Sequence, residues 1–189
     1  MDLDLSRRAA GGDEMAWREI YERTCDRLFS LLCYQIGNRE EALDLLQETY
    51  LRAFNRLGEY RGDAPIEAWV RVIALRKAID WKRTILRRWK RTVELTESLV
   101  KVGPPETEIH SRREGEELDR ALATLSPRQR AALLLREWEG RSYREIAGVL
   151  RCKEGTARVH HTRACARMRK ALKGGPMQFR TGQPEGKTT

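Results

Sequence analysis

LSPRQRAALLLREWEGRSYREIAGVLRCKEGTARVHHTRACARMRKALK, running from Leu125 to Lys173, decides the fold. Ser126 with Pro127 behind it and Gln129 three residues on is a capping box with proline at the first helical position, so a helix begins here. Ala131, Leu134 and Leu135 recur at helical spacing as its buried stripe, and Gly140 is expected to end it. Ser142 with Glu145 caps a second, shorter helix whose apolar face is Tyr143, Ile146, Ala147 and Leu150. Only Arg151 and Cys152 separate Leu150 from a third periodic run, Lys153 to Lys173, so the second and third helices must meet at a steep angle. That is a helix-turn-helix with its third helix as the reading element.

The third run carries Lys153, Arg158, Arg163, Arg167, Arg169, Lys170 and Lys173, with little acid beyond Glu154. Such a helix repels itself in isolation and gains from lying along phosphates, because each neutralised phosphate releases counterions. Read alone, the charges describe a solvated face. Two capped helices ahead of them make a DNA-contacting helix the better reading.

Outside this stretch, composition narrows the class. In 189 residues, 40% are hydrophobic and 34% charged, which suits a helical globular chain, and the net charge of +9 points to a polyanionic partner. No apolar run approaches a bilayer span, and MDLDLSRRAAGG lacks the apolar core of a secretion signal, so a cytoplasmic protein is expected. The four cysteines, Cys25, Cys33, Cys152 and Cys165, are widely spaced and read as reduced thiols. A zinc or redox site using Cys152, His160, His161 and Cys165 is conceivable because His161 and Cys165 are four apart, but the spacing rules disfavour it. No metal or cofactor is therefore expected. With no phosphate-cradling glycine loop, nucleophile elbow or metalloprotease motif, the chain reads as a non-enzyme.

Earlier in the chain a helix is expected from about Asp13 to Ile36, with Trp17, Ile20, Tyr21, Leu28, Leu31 and Leu32 as candidate core and Gly37–Asn38 as its end. A second runs from about Arg39 to Leu57, with Ala42, Leu45, Leu46, Tyr50, Ala53 and Phe54 facing inward. On its outer side Asp44, Gln47, Glu48 and Arg52 form one polar stripe. GEYRGDAP, residues 58–65, is a turn-rich loop with Tyr60, Arg61 and Asp63; of these Tyr60 is the one expected to pack. Pro65 then opens a helix with Ile66, Trp69, Val70 and Ile73 buried and with Arg76, Lys77, Lys82 and Arg83 among its basic residues. Trp81 is expected to be exposed or half-buried, with two readings: a structural residue, the favoured one, or an aromatic face that could stack on a base. Residues 91–113, with a GPPE turn, read as a linker; Glu114 resumes a helix; residues 174–189 have the composition of a flexible tail.

SYREIAGVL followed by EGTARVHHTRA resembles region 4 of the extracytoplasmic-function sigma factors, and LDLLQETYLRAF is similar to region 2.2 of the same family. Trp69, Ile73, Ala74, Ile79 and Asp80 match its region 2.3 to 2.4 pattern. The chain departs from the family at Arg151, Lys153, Ala157 and Arg158, at His161 where the family tends to bury leucine, and at Val72, Leu75 and Arg76, where arginine, arginine and asparagine are frequent. These departures leave the fold in place and bear on which promoter sequence is read.

The resemblance implies an all-helical chain of two domains, region 2 over residues 10–90 and region 4 over 114–173, acting as an alternative sigma factor. Asp44, Gln47, Glu48 and Arg52 would dock on the clamp of core RNA polymerase. Tyr60, Arg61, Asp63, Arg76, Lys77, Asp80, Trp81, Lys82 and Arg83 would hold the separated minus-ten strand, the 60–63 loop taking a base out of the stack. Arg144, Lys153, Glu154, Thr156, Arg158, His160, His161, Arg163 and Arg167 would face the minus-thirty-five element. The linker would thread toward the polymerase cleft. An anti-sigma factor is an expected further partner, and membrane insertion is not expected. Two rival readings are a decoy that binds an anti-sigma factor without a promoter, disfavoured by the basic third helix, and a stand-alone helix-turn-helix regulator, disfavoured by LDLLQETYLRAF.

Overall fold

The computed structural model describes residues 2–95 and 113–172. Most of the expected linker, including the GPPE turn and His110, and the C-terminal tail lie outside the described residues. Every regular element among the described residues is helical.

The chain opens with a helix that periodicity had not marked, α1 (Asp2–Ala10). Acid in its first turn and Arg7 and Arg8 in its last suit the helix dipole, and Leu5 and Ala9, one turn apart, are buried in the first core. Asp2 reaches across the bundle: its carboxylate accepts from the Ile66 backbone N–H at 3.2 Å and from Arg23 at 3.0 Å. The first helical unit thus begins well before residue 10.

Asp13 caps α2 (Glu14–Ile36), accepting from the N–H groups of Met15 and Ala16 at 3.0 and 3.1 Å. Gly37, at φ 87°, ends it with an N–H to Cys33 C=O bond of 2.8 Å, a left-handed turn that suits glycine. Asn38 immediately caps α3 (Arg39–Asn55), so the two helices fold back on each other with almost no loop. A short 3-10 turn (Leu57–Glu59) and the 60–65 loop lead into α4 (Ile66–Leu95). Ile20, Leu28, Leu32, Leu45, Leu46, Ile66, Val70 and Ile73 form the core of this bundle. The Tyr50 hydroxyl meets Thr24 Oγ1 at 2.7 Å inside it, giving the buried ring's polar end a partner. Two candidate core residues lie outside it: Tyr21 and Phe54 are 42% and 48% exposed. Each sits one residue, about 100° of helix, off the stripe that Ile20, Thr24 and Leu28 or Tyr50 and Ala53 occupy.

In the second unit α5 (Arg113–Ala123) precedes α6 (Pro127–Leu133), whose N-terminus carries the expected capping box between Ser126 and Gln129. The helix expected to run to Gly140 instead widens into a π-helical turn (Leu134–Trp138), after which Gly140 takes φ 65°. The Ser142–Glu145 capping box starts α7 (Tyr143–Leu150), and α8 (Glu154–Ala171) follows.

The two units pack on one another. Leu31 of α2 and Leu75 and Ile79 of α4 share a core with Ala131, Leu134, Leu135, Ile146 and Leu150. Trp138 meets Tyr34 edge to face at 5.2 Å. Arg71 pairs with Glu139 at 2.8 Å, with both side chains almost wholly buried. Arg130 is buried at the seam and donates to the carbonyls of Gln35, at 3.1 Å, and Leu122. Burial pushes its guanidinium down, and Asp119 opposes that shift.

Candidate nucleic-acid and polymerase interfaces

The turn between α7 and α8 places Arg151 at φ 50°, a left-handed conformation held by a non-glycine residue, and its N–H bonds back to Gly148 C=O. Along the helix-turn-helix, Arg144, Lys153, Glu154, Thr156, Arg158 and Arg163 are exposed. Arg158 is pre-positioned: its guanidinium lies over the Tyr143 ring at 4.5 Å, and Glu154 is 3.7 Å away. Arg167, also exposed, donates to Thr124 C=O at 2.9 Å and so ties α8 to the end of α5. His160 is partly buried, and desolvation together with Arg128 and Arg163 holds its imidazole below the usual value, favouring the neutral form.

His161, expected among the exposed contacts, is instead largely buried. It turns inward, bonded through Nδ1 to the Tyr143 hydroxyl at 3.0 Å and through Nε2 to Glu137 at 2.8 Å. This is the packed position at which the resemblance places a leucine. A four-residue site with Cys152 and His160 does not form; Cys152 packs into the shared core instead.

In the first unit, Arg61 and Asp63 are exposed around Gly62, at φ 79°. The loop borders an open depression of about 580 Å³ lined by Asp2, Leu3 and residues 60–65. Tyr60 is its floor rather than its lip: it is 7% exposed, stacks edge-on against Trp69 at 5.7 Å and donates to Ala64 C=O at 2.6 Å. Asp80 and Arg83 are exposed, and Trp81 is half-buried against the first core. The remaining basic residues are occupied. Arg76 donates to the Gly148 and Val149 carbonyls at 2.9 and 3.3 Å, across the seam to α7. Lys77 pairs with Glu48. Lys82 bonds to Ile36 C=O at 3.0 Å, where burial pushes its ammonium down to about 7. Val72 and Leu75, two departures noted in the sequence, line the seam, Leu75 being fully buried.

Asp44, Gln47, Glu48 and Arg52 all face solvent on α3. Leu43, Leu51 and Phe54, exposed by 41, 67 and 48%, interleave with them. The combined surface is therefore both apolar and charged. The signal was present in the sequence: Leu43 and Leu51 are out of phase with the stripe at Leu45, Leu46, Tyr50 and Ala53.

Two family models match the chain, one for sigma-70 region 2 over residues 20–90 and one for sigma-70 region 4 over residues 115–168. A Pseudomonas aeruginosa RNA polymerase sigma-H factor is 30% identical over 90% of this chain and 93% of its own length. The chain belongs to the extracytoplasmic-function sigma factor family. A second relative of this sigma factor, the SigE factor of Mycolicibacterium smegmatis, is 35% identical over 82% of the chain, which spans 62% of that longer protein. The fold is shared with the Bartonella quintana sigma factor RpoE solved with the anti-sigma factor NepR, at a TM-score of 0.66 and 22% identity, covering 84% of this chain and 98% of that one. It is shared also with CnrH in complex with the cytosolic domain of CnrY, at 0.64 and 23%, covering 93% and 99%. Among the described residues of this sigma factor no helix is long and apolar enough to cross a membrane.

Proposed function

We propose that the chain is an alternative sigma factor that binds core RNA polymerase, carries it to a promoter and stabilises the opened duplex, contributing no reaction of its own. The observation that carries the reading is the pairing, in one chain, of a capped helix-turn-helix whose α8 exposes Arg158 and Arg163 with an α3 face that mixes Asp44, Glu48 and Arg52 with exposed Leu51. On this reading α8 enters the major groove at the minus-thirty-five element, Arg144, Lys153, Arg158 and Arg163 meeting phosphates and base edges. The depression beside Arg61 and Asp63 receives an unpaired minus-ten base, with Asp80, Trp81 and Arg83 further along the same strand path. Because Arg76 is held by α7 carbonyls, its use on the strand requires the two units to part.

Polymerase works in the cytoplasm, and the chain would act there; an anti-sigma factor of the kind seen on the structural relatives is a partner to be expected. Asp44→Lys together with Glu48→Lys tests the docking face. Both side chains are exposed, so the fold is retained, while affinity for core polymerase falls at least tenfold in a binding titration, a loss of about 1.4 kcal/mol. Unchanged affinity sinks the assignment of α3.

A further inference from the structure

Beside the promoter-reading face lies a cluster that the sigma-factor reading does not use. Glu137, in the π-helical turn, and His161 and Cys165, one turn apart on α8, turn their ligand atoms toward one point, all within 4.8 Å of one another. His161 Nε2 is 2.8 Å from the Glu137 carboxylate and 3.3 Å from Cys165 Sγ. Its other nitrogen, Nδ1, is held at 3.0 Å by the Tyr143 hydroxyl. That bond fixes the ring so that Nε2 is the atom presented to the cluster, the arrangement in which an outer partner orients a metal-binding imidazole.

We propose that this cluster is a binding site for a borderline-soft divalent metal ion, of the zinc class, that fastens α8 to the π-helical turn. The donor set decides the class: one imidazole nitrogen, one thiolate and one carboxylate suit zinc and exclude magnesium and calcium, which take oxygen ligands. Tetrahedral zinc, with bonds of about 2.0–2.3 Å, separates neighbouring ligand atoms by about 3.3–3.6 Å. The nitrogen-to-sulfur spacing of 3.3 Å already has that value; the carboxylate oxygen, 2.8 Å from Nε2 and up to 4.8 Å from Sγ, must swing away from the nitrogen and toward the sulfur, a movement the exposed Glu137 side chain permits. Cys165 and His161 are partly buried while Glu137 is at the surface, so an ion enters from the Glu137 side and keeps a solvent ligand in its fourth position. The consequence is mechanical. α8 and the turn are separate segments, and the turn carries Trp138 and leads into Glu139, both of which contact the first unit. An ion across them sets the pose of the reading helix relative to the rest of the chain.

The test is a titration of the chelator-treated full chain with cobalt(II), a spectroscopic stand-in for zinc. One equivalent binds, giving a thiolate-to-cobalt absorption band that zinc abolishes by displacement. Cys165→Ser removes the band; Cys152→Ser, which changes a cysteine outside the cluster, keeps it. Tyr143→Phe, which leaves all three ligands in place, weakens binding by roughly 10- to 100-fold. Glu137→Gln, a change at an exposed side chain that the fold tolerates, weakens it as well. If no stoichiometric band forms, or if it survives Cys165→Ser, the cluster is only a histidine–glutamate hydrogen bond with a cysteine beside it, and the proposal fails. The site stands on geometry alone, so this outcome leaves the sigma-factor reading untouched.

Discussion

Lys82 shows how far a single residue's environment overrides its charge. In the sequence it belongs to a basic run and reads as a contact for a nucleic-acid strand; in the fold its ammonium sits against Ile36 C=O with its ordinary value of 10.5 lowered to about 7 by burial. The unfolded chain therefore binds more protons than the native one between pH 7 and 10.5, and stability rises with pH across that window. Below pH 7 both states are protonated and the full cost of the buried charge remains. Urea unfolding at pH 7 and pH 9 is expected to give the native chain a gain relative to Lys82→Met, at a slope no steeper than about 1.4 kcal/mol per pH unit. Parallel pH profiles for the two proteins refute the burial of Lys82. His161 has the same lesson in milder form: residue type announced a contact, while the partners that absorbed it, Tyr143 and Glu137, are set by folding. Tyr60 packs as the residue reading expects, with Ala64 C=O taking its hydroxyl.

At the scale of elements, those with local chemical punctuation were legible. Asp13, Gly37, Ser126 and Ser142 each sit where the sequence places a cap, because capping depends on residues three or four apart. Asn38, expected to close α2, instead caps α3, and Pro65 stands one residue ahead of the first helical position, Ile66. α1 was not legible: nine residues give too little periodicity, and its burial depends on Ile66 and Arg23, remote in sequence. Nor was the π-helical turn, which has no composition of its own. One hint of two-sided burial was there to use: Ala131 to Leu135 is five apolar residues in succession, more than one helix face can present to its own domain. On the proposed reading, the DNA-contacting part of α8 is its exposed basic side. Arg158→Ala and Arg163→Ala are each expected to weaken promoter binding uniformly across sequences and to reduce the slope of log affinity against log salt by about 1. An unchanged slope in both variants takes α8 out of the interface.

Taken as a whole molecule, the chain holds its two units together by a seam that is apolar at Leu75, Ile146 and Leu150 and ionic at Arg71 and Glu139. Neither sequence pattern nor family resemblance specified that seam, since it pairs residues more than sixty positions apart; Val72 and Leu75, which stand where arginine is frequent, are explained by it. Glu139→Gln leaves the buried Arg71 without its carboxylate, a loss of about 3–5 kcal/mol for a buried pair. The expected result is a larger radius of gyration in small-angle scattering with helical content retained; an unaltered radius contradicts the role of this pair in holding the units closed. For the account as a whole, the most direct measurement is transcription from a promoter library by core RNA polymerase recovered on the tagged chain. The account predicts that polymerase is recovered and that a distinct set of promoters, absent with core polymerase alone, is transcribed. A folded chain that captures no polymerase contradicts it and favours a sigma-like decoy or a stand-alone regulator.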